Sequence, residues 1–187
     1  MIINLNSIIP PAGRIPLNLG YEFRSVLTDA VRASKGPKTK GGHFSNLEGY
    51  AIRKLRDAPY LCIFTKALYE VRMDKLAPLT YTDEEGTEYR SNDVFETDFG
   101  TLPLVVQPVL PKDRFLLSYL LHDSACVNGG LFKKRPGEFK FTFVRMGRRE
   151  RDNLLYSMIL AEGGNVTQRL AVYVGVRAFA YVTGQWA

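Results

Sequence analysis

Asp113-Arg114-Phe115-Leu116-Leu117-Ser118-Tyr119-Leu120-Leu121-His122-Asp123-Ser124-Ala125-Cys126-Val127 is the stretch on which the fold turns. It reads as a helix. Asp113, just after Pro111, is placed to cap it, and Asn128-Gly129-Gly130 stops it. The helix is apolar nearly all round, which predicts burial on most sides. Its last turn nevertheless carries His122 and Asp123. Burying a polar group without a partner costs about 1–3 kcal/mol, so partners must come from elsewhere in the chain.

A second helix is expected over Arg149–Ala161, ended by Gly163-Gly164. Asp152, Leu155 and Ile159 fall at i, i+3 and i+7, so Asp152 lies on an apolar face. Antiparallel packing of the two helices would bring Asp152 to the imidazole of His122, with Arg148 or Arg149 one turn before it. On the first helix His122 shares a face with Phe115, Tyr119, Ala125 and Cys126. Asp123 sits about 100° round, with Leu116 and Leu120. Cys126 reads as a core thiol. A third helix is expected from Val166 to Tyr181, with Leu170, Tyr173, Val174, Ala178 and Tyr181 on one side and Gly175 permitting close approach.

Upstream the pattern is that of a small antiparallel sheet. Leu61-Cys62-Ile63-Phe64 is a buried-strand candidate, and Leu68–Met73 alternates as a half-buried strand does. Asp83-Glu84-Glu85-Gly86 turns between Thr80–Thr82 and Thr87–Arg90, and Val94–Thr97 is a further strand. Thr97-Asp98-Phe99-Gly100-Thr101-Leu102-Pro103 closes the sheet in a turn and places Asp98 where the helices begin. Pro103, Pro108 and Pro111 make Leu104–Leu110 an extended connector. Ahead of the sheet, Tyr21–Ala33 and Leu47–Arg56 are expected as helices, separated by a basic, Gly- and Pro-rich loop at 34–42. His43 reads as a surface residue. The expectation is an α+β fold: a small antiparallel sheet followed by three packed helices. An N-terminal extension spans 1–59, the domain 60–187, and a basic insertion 131–148.

A chain of 187 residues, 45% hydrophobic, is one ordinary domain. No stretch reaches the roughly 20 apolar residues of a transmembrane helix, and residues 1–11 do not read as a secretory signal. The two cysteines, Cys62 and Cys126, form no Cys-x-x-Cys, so reduced thiols and no structural zinc are expected. The net charge of +6 is unevenly spread. Residues 74–98 hold eight acids and two bases, and 133–151 hold eight bases and two acids. This asymmetry fits an anionic partner, subunits docking acidic face to basic face, or two segments neutralising each other within one fold. Phe139-Lys140-Phe141-Thr142-Phe143-Val144-Arg145 alternates as a strand or hairpin. Its interleaved aromatics and bases suit nucleic acid, though no recognised nucleic-acid motif accompanies them.

A histidine held by a carboxylate is the usual form of a general base. His122 with Asp152, and with Asp98 and Asp123 as further carboxylates, also suits calcium or another divalent cation. Gly-x-Ser-x-Gly, His-Glu-x-x-His and a P-loop are all missing, so the nucleophile would be water. The alternative is a His–Asp–Arg network that only satisfies buried groups and fixes helix register.

Thr97–Pro103, His122-Asp123, Arg148 to Asp152, and Val176-Arg177 with Trp186 together resemble, in order, the motifs of a phage and prophage family, domain of unknown function 1353. The resemblance covers about Tyr60 to Ala187. Thr101 stands where that family has Ser, Ser124-Ala125-Cys126 replace its tyrosine-rich residues, and the basic insertion lengthens the link between the helices. The two-helix core is also similar to that of phospholipases A2. That similarity implies His122 as base, Asp123 as calcium ligand and Asp152 as orienter. The Gly-rich calcium loop and disulfides of those enzymes are missing here, and Thr97–Pro103 with Asp98 is the only replacement. The resemblance implies a bacteriophage protein, and the charge split, the N-terminal arm and the basic loop at 34–42 favour a virion protein, a structural or docking component of the tail or head–tail region. It would be made in the host cytoplasm and carry the His–Asp site. Its partners would be other virion proteins or copies of itself. The alternatives are a hydrolase acting on anionic envelope components with His122 as base, and a nucleic-acid-binding accessory protein.

Overall fold

The computed structural model describes residues 41–60, 64–99 and 114–182. The expected helix at Tyr21–Ala33, the loop at 34–42 up to residue 40, Cys62, Gly100–Asp113 and Trp186 lie outside these residues. Eight strands and three helices follow in order: β1 (His43–Ser45), β2 (Tyr50–Tyr60), β3 (Phe64–Met73), β4 (Thr80–Thr82), β5 (Glu88–Arg90), β6 (Val94–Thr97), α1 (Leu116–Asn128), β7 (Gly130–Lys134), β8 (Thr142–Arg145), α2 (Arg148–Ala161) and α3 (Val166–Val182). The class is α+β, with every strand pair antiparallel.

There are two sheets among the described residues, not one. The larger runs β1-β4-β5-β7-β8 and the smaller β2-β3-β6. β1 and β2 pair with strands beyond Tyr60, so the sheets reach back to His43.

The helix expected over Leu47–Arg56 is replaced by β2. Its Ala, Arg, Lys and Leu residues favour helix locally, but cross-strand pairing overrides that preference. Tyr50 faces Met73 and Ile52 faces Val71, all buried. On the same pair Arg53 reaches Glu70 at 3.3 Å. The expected Thr80–Thr82/Glu88–Arg90 hairpin forms as β4–β5. Asp83 closes it by accepting the Glu85 and Thr87 N–H groups.

One face of the larger sheet is core: Phe44, Tyr81 and Tyr89 are buried in one row, and Leu131 is buried two residues from the row on the same face of β7. α1 lies among these elements with Phe115, Leu117, Leu120 and Leu121 fully buried. Gly129, at φ 72°, stops it in the left-handed conformation. Gly130 then opens β7, where an added Cβ would lie 2.1 Å from the Val144 carbonyl oxygen, so the strands close only over glycine.

The third helix corrects its expected face. Val172, Val176 and Ala180 are buried, whereas Leu170, Val174 and Tyr181 are exposed. The larger side chains suggested the stripe; the buried face is instead made by Val172, Val176 and Ala180, which recur every four residues. No described helix is long and apolar enough to cross a membrane.

Candidate functional site

α1 and α2 run antiparallel, since Ser118 meets Glu162 at one end and Arg151 meets the Ala125 and Cys126 carbonyls at the other. This packing brings His122 and Asp152 together. His122 Nε2 lies 3.0 Å from Asp152 Oδ1. The imidazole is 6% exposed and the carboxylate not at all. Two guanidiniums balance Asp152 from its other sides. Arg148 Nε reaches it at 3.1 Å from one turn earlier on α2, and Arg177 Nη1 at 3.6 Å from α3. Arg148 also donates to the Val176 carbonyl, which ties α2 to α3. Of the two supporting arginines expected from sequence, Arg148 takes that position, while Arg149 is exposed on the outside of α2.

Asp123 stands on the other side of the ring. Its Oδ1 is 3.8 Å from His122 Nδ1, beyond hydrogen-bond length. Its Oδ2 accepts the Thr97 hydroxyl at 2.5 Å. Thr97 Oγ1 in turn accepts the Phe99 N–H. Phe99 has φ 60°, a left-handed value that is costly for a bulky residue. Its ring is buried against Tyr69, with centroids 4.8 Å apart. The Thr97-Asp98-Phe99 turn is thus held against the end of α1 by Thr97. Asp98 lies near enough for its charge to act on Asp123.

The electrostatics follow from these contacts. Burial alone would drive the His122 imidazole neutral, but the neighbouring Asp123, the bonded Asp152 and Cys126 outweigh it and hold the ring well above its ordinary pKa. Burial would raise Asp152, yet His122 and Arg148 pull it below the usual carboxylate range. Asp123 is raised by burial and by Asp98, against the pull of His122. The imidazole therefore sits against a charged carboxylate that two arginines compensate.

Sequence reasoning missed four participants. Thr97 and Arg177 were noted only as parts of motifs. Cys126 Sγ lies 3.7 Å from His122 Nε2 and is partly exposed, so it borders the site. Glu162 is a second buried carboxylate. It accepts the Leu117 and Ser118 N–H groups and the Ser118 hydroxyl, closing the N-terminus of α1. Its position, just past the last turn of α2 and beside Gly163-Gly164, was the available signal.

Calcium takes six to eight oxygen ligands. Beside Asp123 the Thr97 hydroxyl is already engaged, donating to its carboxylate. Among the described residues no group of three or more His, Cys, Asp and Glu side chains is arranged to hold a metal. The donors among the described residues do not by themselves fit a divalent cation. What remains is a protein-only arrangement of an oriented imidazole with one nitrogen bonded and one turned toward a second carboxylate.

No curated protein and no solved structure matches the chain. A family model described as protein of unknown function (DUF1353) matches residues 73–176. That is more than half of the chain, and it includes Thr97, His122, Asp123, Arg148 and Asp152. The chain belongs to the DUF1353 family.

Proposed function

We propose that this protein is a bacteriophage particle component whose His122–Asp152 pair activates water to hydrolyse an ester or amide of the bacterial envelope. The observation that carries the hydrolytic part is the asymmetry of the imidazole contacts. Nε2 is bonded to Asp152 at 3.0 Å, whereas Nδ1 is 3.8 Å from Asp123 Oδ1. The Asp152 bond fixes the proton of the neutral ring on Nε2, which leaves the Nδ1 lone pair as the base. A water on Nδ1 would also lie within reach of Asp123, which would orient it. Arg148 and Arg177 hold Asp152 in its charged form, so the imidazolium that forms on proton transfer is stabilised. The phage setting rests on the resemblance carried by Thr97–Phe99, His122-Asp123 and Arg148–Asp152.

The raised imidazole pKa sets the pH behaviour. The ring becomes a base only as pH rises through that value, so hydrolysis should increase from neutral toward alkaline pH. A second reading has its own support: the same residues join β6, α1, α2 and α3 in one buried network, as a purely structural particle subunit would need.

The test compares wild type with His122→Gln on bacterial envelope preparations, with fatty acids and muropeptides read by mass spectrometry. The hydrolytic reading expects product from wild type, unchanged by added calcium or by chelator, and a loss of about 100-fold or more in a folded variant. No product from either protein, with the variant much less stable, would leave the structural reading standing.

A further inference from the structure

The outward face of the five-stranded sheet is unlike its core face. Following the strand register, Arg90 on β5 lies opposite Phe132 on β7, and Phe132 opposite Phe143 on β8. One step on, Glu88 lies opposite Lys134. This face therefore carries Arg90, Phe132, Lys134, Phe141, Phe143 and Arg145, aromatic and cationic side chains interleaved across three strands, with Glu88 as its acid. The rings are set rather than loose. Phe132 and Phe143 meet edge to face at 5.5 Å. The Arg90 guanidinium lies over Phe132 at 5.3 Å and over Phe141 at 4.9 Å. Lys134 lies over Phe141 at 5.1 Å. Arg90 Nε is buried without an acceptor, so this guanidinium is committed to the rings.

At the tip between β7 and β8, Phe139 is 99% exposed, beside exposed Arg135 and Lys140. Phe139 thus stands wholly in water at the hairpin end, next to two further cations and free to meet a ligand. Nearby acids neutralise only part of this surface: Glu88 of the acidic segment takes Lys134 at 2.6 Å, and Glu138 within the hairpin takes Arg135 at 3.9 Å. Arg145 and Lys140 are exposed, with no ion pair among the described residues.

We propose that this face binds single-stranded nucleic acid, with bases stacking on Phe139 and Phe143 and phosphates meeting Lys140, Arg145 and Arg135. The chemistry favours this occupant over other anions. Exposed rings interleaved with cations suit a strand that presents both bases to stack and phosphates to pair. A membrane surface would need a contiguous apolar tip, and here Phe139 has Glu138 and Lys140 as its chain neighbours. A second copy docking its acidic segment would pair the cations but leave the rings without partners. The proposal stands apart from the His122 site, which lies among the helices on the other side of the larger sheet.

The experiment measures fluorescence anisotropy of labelled oligo-dT and oligo-rU with the full chain across a salt series. Binding is expected, with log K falling linearly against log salt at a slope of about −0.7 per phosphate contacted. Arg145→Gln should make that slope shallower by about 0.7. Phe139→Ala, at an exposed tip, should weaken binding about ten-fold while leaving slope and melting temperature unchanged. Three outcomes would overturn the proposal. One is no binding at low salt. Another is binding that Phe139→Ala does not weaken and heparin abolishes, which would mean general polyanion attraction. The third is Phe139-dependent sedimentation with phosphatidylglycerol vesicles and none with oligonucleotide, which would make the face a membrane contact.

Discussion

At the scale of single residues, the account rests on how Asp152 is compensated. It is wholly buried, and it is bonded to His122 and Arg148 and approached by Arg177. Removing one partner from such a group leaves a buried charge uncompensated, which costs about 3–5 kcal/mol. Asp152→Asn should therefore lower unfolding free energy by about that amount in urea titrations, with two arginines left facing a neutral amide. A loss below 1 kcal/mol would mean that the network is looser than its distances indicate. The His122–Asp152 pair was legible in the sequence because Asp152 shares a helical face with Leu155 and Ile159, so it had to point inward. Thr97 was harder to read. The carboxylate of Asp98 drew attention as the polar group of that turn, whereas the shorter hydroxyl of Thr97 is the one that reaches Asp123.

At the scale of elements, the start of α1 depends on a residue far away in sequence. Phe115 makes no side-chain cap, and Glu162 accepts the Leu117 and Ser118 N–H groups from beyond the end of α2. A negative charge suits a helix N-terminus, but this one is fully buried and its pKa is pushed up to about 7. Glu162→Ala should cost about 2–3 kcal/mol, from the lost cap and the buried N–H groups left without acceptors. Thermal melts should show it, and an unchanged melting temperature would contradict the capping role. Such tertiary capping leaves no local signal, which is why the sequence pointed to Asp113. The same limit explains β2 and α3. The residues of β2 favour helix until β3 is beside them. The face of α3 was read from its largest side chains, whereas Val172, Val176 and Ala180 make the buried one. By contrast β4, β5 and β6 were readable because alternation and turn residues are local.

At the scale of the whole molecule, the buried titrating groups act mostly in one direction. Glu162 and Asp123 are raised above their unfolded values, so each favours the folded state when protonated and loses that contribution as pH rises. His122 is raised too, and its contribution is fully present below about pH 6.5 and lost as pH climbs through the folded value. Asp152 is lowered and acts oppositely, losing its contribution only in strong acid. The protein should thus be most stable in mildly acidic solution. Glu162, moving from 4.5 to about 7, alone accounts for about 3 kcal/mol between those limits. Urea titrations at pH 5 and pH 8 should show stability falling with pH, and Glu162→Gln should flatten the part below pH 7. Stability that rises over this range would contradict the assignment. The charge asymmetry of the sequence also resolves at this scale. Its acidic and basic segments meet where β5 pairs with β7, so part of the charge is internal; of the other bases, Arg135, Lys140 and Arg145 lie on the hairpin and Arg148, Arg149 and Arg151 on α2.

The central claim is that His122 is an imidazole anchored on Nε2 by Asp152, with Nδ1 as its working nitrogen. The chain has only two histidines, so ring-nitrogen NMR with His122→Gln for assignment can read it directly. The account predicts that His122 titrates well above 6.5, becomes protonated on Nε2 alone in its neutral form, and moves down in Asp152→Asn. A ring that titrates near 6.5 in wild type and does not respond to Asp152→Asn would contradict it.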